Sequence, residues 1–184
     1  MEFEIPINYL NIYTTPGQAE QINNIMSKYI NVRNCVITDA TACIGGNSVF
    51  FMRDFKSVNM IEKNEDIFNI LVKNISIFPN KNVQNCYYNC SYNTVRFMLK
   101  QDAIFIDPPW GGAFYKNKRK IKLYMDNKNV LDIIDELYHF TSIVCLKVPN
   151  NFDTNWVSDN FWNNKIHNIT KNKKCVYKLI LFYK

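Results

Sequence analysis

Residues 36–47 read VITDATACIGGN. Three β-branched residues favour a strand, which runs into an acid at Asp39. Small residues and the adjacent pair Gly45 and Gly46 follow, so the chain leaves the strand through a loop whose backbone a ligand can approach closely. The spacing predicts a strand over Cys35–Thr38, a loop over Ala40–Gly46 and a helix from Asn47 to about Asp54. A strand that ends in a polar residue and a glycine loop is the way an open α/β sheet presents a ligand crevice at its carboxyl edge.

Outward from this stretch, β-like and helix-like segments alternate. Ser57–Ile61 reads as a strand ending at Glu62, Asp66–Ile77 as a helix, Val83–Cys90 as a strand and Asn93–Leu99 as a helix. Ala103–Ile106 is the next strand, Val130–Phe140 a helix and Ser142–Val148 a strand. Upstream, Thr14-Thr15-Pro16 opens a helix, with proline at the first helical position and Ile22, Ile25, Met26, Tyr29 and Ile30 at helical spacing. In the tail, Lys165–Ile169 and Cys175–Tyr183 are joined by KNKK, which suits an antiparallel hairpin at a sheet edge. The expected fold is therefore α/β: a mostly parallel sheet, an antiparallel C-terminal strand and helices on both faces. That is the Rossmann-like pattern of class I S-adenosylmethionine (SAM)-dependent methyltransferases. Periodicity alone does not separate it from other doubly wound sheets.

The 184 residues are 47% apolar, enough for one domain over residues 1–184 with a short N-terminal segment, 1–13. No apolar run is long enough to span a membrane, and MEFEIPINYL has no signal-peptide pattern, so an intracellular protein without a membrane partner is expected. The six cysteines are scattered, and Cys86 and Cys90, the one close pair, lie far in sequence from His139 and His167, which favours buried thiols and no metal site. The net charge of +6 permits a polyanionic partner without requiring one.

Four successive strand ends carry Asp39, Glu62, Asn89 and Asp107. Glu62 stands about twenty residues beyond the first strand, where a carboxylate accepts from two ribose hydroxyls, and Asn89 can read an adenine edge. The chain has neither GxGxxG nor GxxxxGK[ST], which favours a small nucleoside cofactor over a dinucleotide or triphosphate. At the fourth strand end, residues 104–112 read IFIDPPWGG. Pro108 and Pro109 stiffen the turn and lack backbone donors, while their carbonyls still accept. Asp107 adds an acceptor, and Trp110 offers a flat face. The corner reads as a clamp for a planar base whose exocyclic amine is to be methylated. Beyond it lie Lys116, Lys118, Arg119, Lys120 and Lys122 with Phe114 and Tyr115, a candidate landing surface for phosphates.

VITDATACIGGN and FIDPPWGG together resemble the trimethylguanosine synthase family, the cap hypermethylases, whose motifs run close to VVDAFCGVGGN and FLSPPWGG. The likeness spans most of the chain. It includes Tyr13-Thr14-Thr15-Pro16, the strand end Leu146-Lys147-Val148-Pro149-Asn150-Asn151, and the closing segment NFWNNKIHNITKNKK. The resemblance implies SAM as cofactor, lined by Asp39, Ala40, Gly45, Gly46 and Asn47, with Glu62 on the ribose, Asn89 on the adenine and Asp107 beside the methyl. It implies Asp107, Pro108 and Trp110 as the catalytic corner. Pro109, Trp110, Asn150 and the basic residues Lys116, Lys118, Arg119 and Lys120 would then meet capped RNA or a 7-methylguanosine nucleotide. The implied activity is guanine-N2 methylation of the cap, giving a dimethyl or trimethyl product.

Two departures keep alternatives open. Cys43 stands where the family loop has a glycine, and Asp107 stands where it has serine. The resulting DPPW tetrad is shared with adenine-N6 methyltransferases, which makes adenine a rival target. The chain starts about a dozen residues before Thr15-Pro16. The family's helical N-terminal region is thus expected to be reduced, with a protein partner supplying it. A catalytically inactive, RNA-binding subunit is the non-enzymatic alternative.

Overall fold

The computed structural model describes residues 2–10, 13–78, 84–160 and 163–184. Val83 and the pair Phe161-Trp162 lie outside the described residues. The main sheet contains β1 (Val36–Asp39), β2 (Ser57–Ile61), β3 (Gln84–Tyr88), β4 (Ala103–Ile106), β7 (Ile143–Pro149), β8 (Asn164–Lys171) and β9 (Lys174–Tyr183). A small antiparallel pair, β5 (Tyr124–Met125) and β6 (Lys128–Asn129), stands apart from it. The main sheet runs in the order β3-β2-β1-β4-β7-β9-β8. Its first five strands are parallel, and β9 enters antiparallel between β7 and the edge strand β8. The expected tail hairpin is present, but tighter: only Asn172 and Lys173 connect the strands, both at positive φ.

The helices are α1 (Pro16–Met26), α2 (Ser48–Asp54), α3 (Glu65–Ser76), α4 (Tyr92–Val95), α5 (Val130–Leu137) and α6 (Asn155–Asn160). Alternation along the strands feeds two apolar layers. Ile37, Val58, Met60, Phe105, Cys145, Leu179 and Leu181 face α1, α2 and α3 through Ile22, Met26, Phe51, Leu71 and Ile75. Ile104, Ile106, Val144, Leu146, Val148, Ile180 and Phe182 face α5 and α6 through Ile133, Ile134, Leu137 and Val157. Both faces of the sheet are thus covered, as a parallel sheet requires.

Local chemistry sets the helix ends. Pro16 is the first residue of α1, and Gln18 Oε1 accepts from the Thr15 amide at 3.0 Å. Asn64 Oδ1 accepts from the Ile67 amide at the start of α3, whose first turn carries Glu65 and Asp66 and whose last turn carries Lys73. Some expectations need correction. The helix expected over Asn93–Leu99 is a single turn, and the one expected to reach Phe140 stops at Leu137. The pair β5–β6 and α6 carried too few periodic residues to be foreseen. Of the cysteines expected to be buried, only Cys145 is; the other five are half-buried free thiols.

Candidate active site

The strand order places Asn89, Glu62, Asp39 and Asp107 side by side along one edge, at the ends of β3, β2, β1 and β4. The connections after these strands are laced together. The Ala40 amide donates to the Phe105 carbonyl and the Ala42 amide to the Ile61 carbonyl, both at 2.9 Å. Thr41 Oγ1 accepts from the Asp107 amide at 2.8 Å, so the loop after β1 holds the start of the DPPW corner. Asn89 is exposed, and its Nδ2 donates to the Glu62 carbonyl at 3.0 Å. Glu62 is half-buried; Oε1 accepts from the Asn64 amide at 2.8 Å, and its other oxygen has no partner among the described residues.

Asp39 follows Ile37 on the face that packs against α2, and it is fully buried. Its Oδ2 accepts from Ser48 Oγ at 2.7 Å, while Oδ1 is buried with no hydrogen-bond partner among the described residues. Burial pushes its carboxyl up to about 7, a rise that the Ser48 hydroxyl and the Thr41 amide oppose. Asn47, also buried, donates to Thr14 Oγ1 at 3.1 Å, and its own Oδ1 has no partner among the described residues. Cys43 takes φ +52°, the left-handed backbone that favours glycine, and burial raises its thiol to about 12. The loop therefore keeps its turn at Cys43 without a glycine, and Gly45 supplies a second left-handed residue at φ +96°.

The N-terminal segment crosses this loop. Asn74, buried on α3, accepts from the Glu4 amide at 2.7 Å and donates to the carbonyls of Glu4 and Ile44. Further along, Thr14 lies directly on Gly46: a Cβ added there would sit 2.7 Å from the Thr14 carbonyl oxygen. Gly46→Ala must displace one backbone from the other. It is expected to cost about 1–3 kcal/mol of stability, as overpacking does, and to weaken SAM binding. Thermal denaturation and calorimetry check this, and an unchanged melting temperature would contradict it.

The DPPW corner contains an unforeseen partner. Asp107 and Lys147 lie on the same sheet face, each two residues beyond the paired Phe105 and Cys145. Lys147 Nζ, on a side chain only 6% exposed, donates to Asp107 Oδ2 at 2.7 Å and to Thr14 Oγ1 at 3.0 Å. It also lies 5.8 Å from the centre of the Trp110 ring and 5.3 Å from that of Tyr177. Trp110 is half-buried; its Nε1 is buried with no partner among the described residues, and Tyr115 meets its ring edge-on at 5.4 Å. The indole is therefore a seated platform, backed by Tyr115 and a lysine, and not a free flag. Pro108 is buried and Pro109 exposed. A lysine inside the buried run IVCLKVP was the available sequence signal, since lysine is almost never fully buried unless paired.

The basic residues beyond the clamp lie on a short helical turn, Gly112–Asn117, and the chain after it. Lys116, Lys118, Arg119, Lys120 and Lys122 are all exposed, and Phe114 is 77% exposed. Lys120 is paired with Asp153 at 3.0 Å. Asn151, not Asn150, ties this loop to the end of β7 by donating to the carbonyls of Tyr115 and Lys118, each at 2.8 Å. Asn150 is exposed.

These residues fit SAM. The free oxygen of Glu62 suits a ribose diol, and the orphaned acceptors of Asn47 and Asp39 suit an ammonium group beside the glycine loop. The fold and strand-end site define a SAM-dependent methyltransferase architecture. Solved structures share it: a 16S rRNA guanine-N2 methyltransferase from T. thermophilus in complex with AdoMet and guanosine aligns at TM-score 0.69 and 12% identity, over 97% of this chain and 45% of that one. An rRNA methylase from Streptococcus thermophilus aligns at TM-score 0.62 and 10% identity, over 93% of this chain and 97% of that one. M. jannaschii TYW2 in complex with AdoMet aligns at TM-score 0.55 and 15% identity, over 94% and 77%. The model of the family described as RNA cap guanine-N2 methyltransferase matches residues 34–183, and the chain belongs to that family. An uncharacterized protein of Acanthamoeba polyphaga mimivirus is 34% identical over 160 residues, 84% of this chain. The chain spans 62% of that protein's length. No helix among the described residues is long and apolar enough to cross a membrane.

Proposed function

We propose that the protein binds SAM and methylates the exocyclic N2 of a 7-methylguanosine cap on RNA. The observation that carries this reading is the adjacency of the Asp107–Trp110 corner to the loop after β1, fixed by the bond from the Asp107 amide to Thr41. SAM, when bound, supplies an electrophilic methyl group on a positively charged sulfur. The chain's own part is to align the acceptor. Glu62 and Asn89 hold the nucleoside end of the cofactor, and the Asn47 and Asp39 acceptors lie toward its ammonium. Trp110 stacks the guanine, and N2 points at Asp107 Oδ1 and the Pro108 carbonyl. Those two acceptors orient the N2 lone pair and stabilise the positive charge that grows on nitrogen. Alignment of this kind can contribute ~7–11 kcal/mol.

A 7-methylated guanine carries a positive charge, and stacking on Trp110 gains about 0.5–2 kcal/mol from it. Asp107 also fits an adenine amine, so the test offers both bases. The protein is incubated with SAM and either 7-methylguanosine diphosphate, guanosine diphosphate or an uncapped adenine-containing RNA, and the products are weighed. One or two methyl increments on the first substrate alone are expected. Methylation of the uncapped RNA alone would move the target to adenine N6, and failure to bind SAM in calorimetry would leave the chain a non-catalytic RNA-binding subunit.

The exposed cations beyond the clamp fit the cap phosphates. Replacing Lys116, Lys118 and Arg119 together with alanine is expected to weaken capped-RNA binding. It should also lower the slope of log affinity against log salt by about 2, at roughly 0.7 per lost phosphate contact. An unchanged slope would remove these residues from the phosphate path.

A further inference from the structure

Beyond the basic loop lies a second cavity, of about 460 Å³, between the segments that follow β4 and β7. Its walls include Lys122, Asp132, Phe152, Asp153, Asn155 and Trp156. It shares no residue with the strand-end crevice, yet it is continuous with the base clamp through a short chain of contacts. Trp110 meets Tyr115, Asn151 holds the carbonyls of Tyr115 and Lys118, and Ile121 pairs with Phe152 on the cavity wall. The loop carrying Lys116, Lys118 and Arg119 spans the interval between the two sites.

The lining is chemically specific. Trp156, 39% exposed at the start of α6, and the buried Phe152 both line the cavity. Lys122 is exposed at the rim. Asp132 sits in the first turn of α5, and Asp153 is fixed by Lys120, which holds its carboxyl below the usual range. An aromatic face, a rim cation and the carboxylates of Asp132 and Asp153 match, in order, a base, a phosphate and ribose hydroxyls. The volume falls in the range of small-molecule pockets.

We propose that this cavity binds the nucleotide that follows the cap, with its base on Trp156, its phosphate at Lys122 and its ribose hydroxyls at Asp132 or Asp153. The proposal rests on the cap reading above and extends it from a mononucleotide to a dinucleotide recognition unit. The 2′-hydroxyl at a carboxylate would make the site selective for RNA.

The test compares binding of 7-methylguanosine diphosphate with that of the cap dinucleotide 7-methylguanosine-triphosphate-adenosine, by calorimetry on the full chain with S-adenosylhomocysteine present. The dinucleotide is expected to bind at least ~10-fold more tightly, as base–aromatic stacking gives. Trp156→Ala should erase that advantage while leaving 7-methylguanosine diphosphate unchanged. Asp132→Asn, which leaves the aromatic face in place, should narrow the preference for a ribose over a 2′-deoxyribose in the second nucleotide. Equal affinities in the parent protein, or an advantage that survives Trp156→Ala, would overturn the proposal with the cap reading intact. If neither cap ligand binds, the cap reading fails and this proposal fails with it.

Discussion

Asp107→Ala should slow methyl transfer by on the order of 10²–10³ and destabilise the protein by about 3–5 kcal/mol, the cost of leaving a buried charge without its partner. The charge is that of Lys147, whose Nζ lies 2.7 Å from Asp107 Oδ2 and, among the described residues, is otherwise hydrogen-bonded only to the neutral Thr14 hydroxyl. Removing both charges separates stability from chemistry. The double variant Asp107→Ala, Lys147→Met should regain most of the lost stability, because an apolar replacement of similar volume avoids the desolvation cost. It should not regain activity, since the amine acceptor at Asp107 stays absent; loss of one such group costs on the order of 10²–10³ in rate. Denaturant midpoints and turnover with 7-methylguanosine diphosphate read the two effects. A single variant as stable as the parent, or an active double variant, would show that the pair is incidental.

The second large effect concerns Trp110. Substitution by leucine keeps much of the packing under the indole but removes the platform. Affinity for 7-methylguanosine diphosphate should fall by about 1–3 kcal/mol, the usual contribution of stacking on an aromatic side chain. Preference over guanosine diphosphate should shrink, while SAM affinity stays the same. Lys147 makes this prediction sharper. Lys147 Nζ lies 5.8 Å over the Trp110 ring, so a cationic base stacked on the opposite face is roughly 9 Å from the ammonium, and two such charges repel by about 2 kcal/mol at an effective dielectric of 20. That is comparable to the cation–π gain of ~0.5–2 kcal/mol. Selectivity for the 7-methylated base therefore depends on Asp107 neutralising Lys147, and Asp107→Ala should lose it as well. Competition binding with the two nucleotides checks this; a leucine variant with undiminished preference would contradict the stacking account.

Much of the architecture could be read directly from the chain because its signals are local. Glycines after β1, a helix opened by Thr15 and Pro16, and alternating strands around Asp39, Glu62 and Asp107 each depend on neighbouring residues. The order β3-β2-β1-β4 then brings the four strand ends together, as parallel strands with right-handed crossovers do. What escaped were features made by long-range register. Lys147 meets Asp107 because β7 pairs with β4, and it meets Thr14 from the far end of the chain. The seating of Trp110 against Tyr115 depends on Asn151 pulling the basic loop to β7, which spacing cannot express. Short elements such as β5, β6 and α6 carry too few turns of periodicity to register. The N-terminal segment, irregular in sequence, gains its place through long-range contacts such as those to Asn74 and the bare surface of Gly46.

The central claim is that a charged guanine lies on Trp110 with its N2 in line with a SAM methyl. The most direct measurement is a crystal structure with S-adenosylhomocysteine and 7-methylguanosine diphosphate. The account predicts the purine stacked on the exposed face of Trp110, N2 within hydrogen-bond reach of Asp107 or the Pro108 carbonyl, and the cofactor sulfur facing N2. A purine bound elsewhere, or an indole turned into the core away from the sulfur, would contradict it.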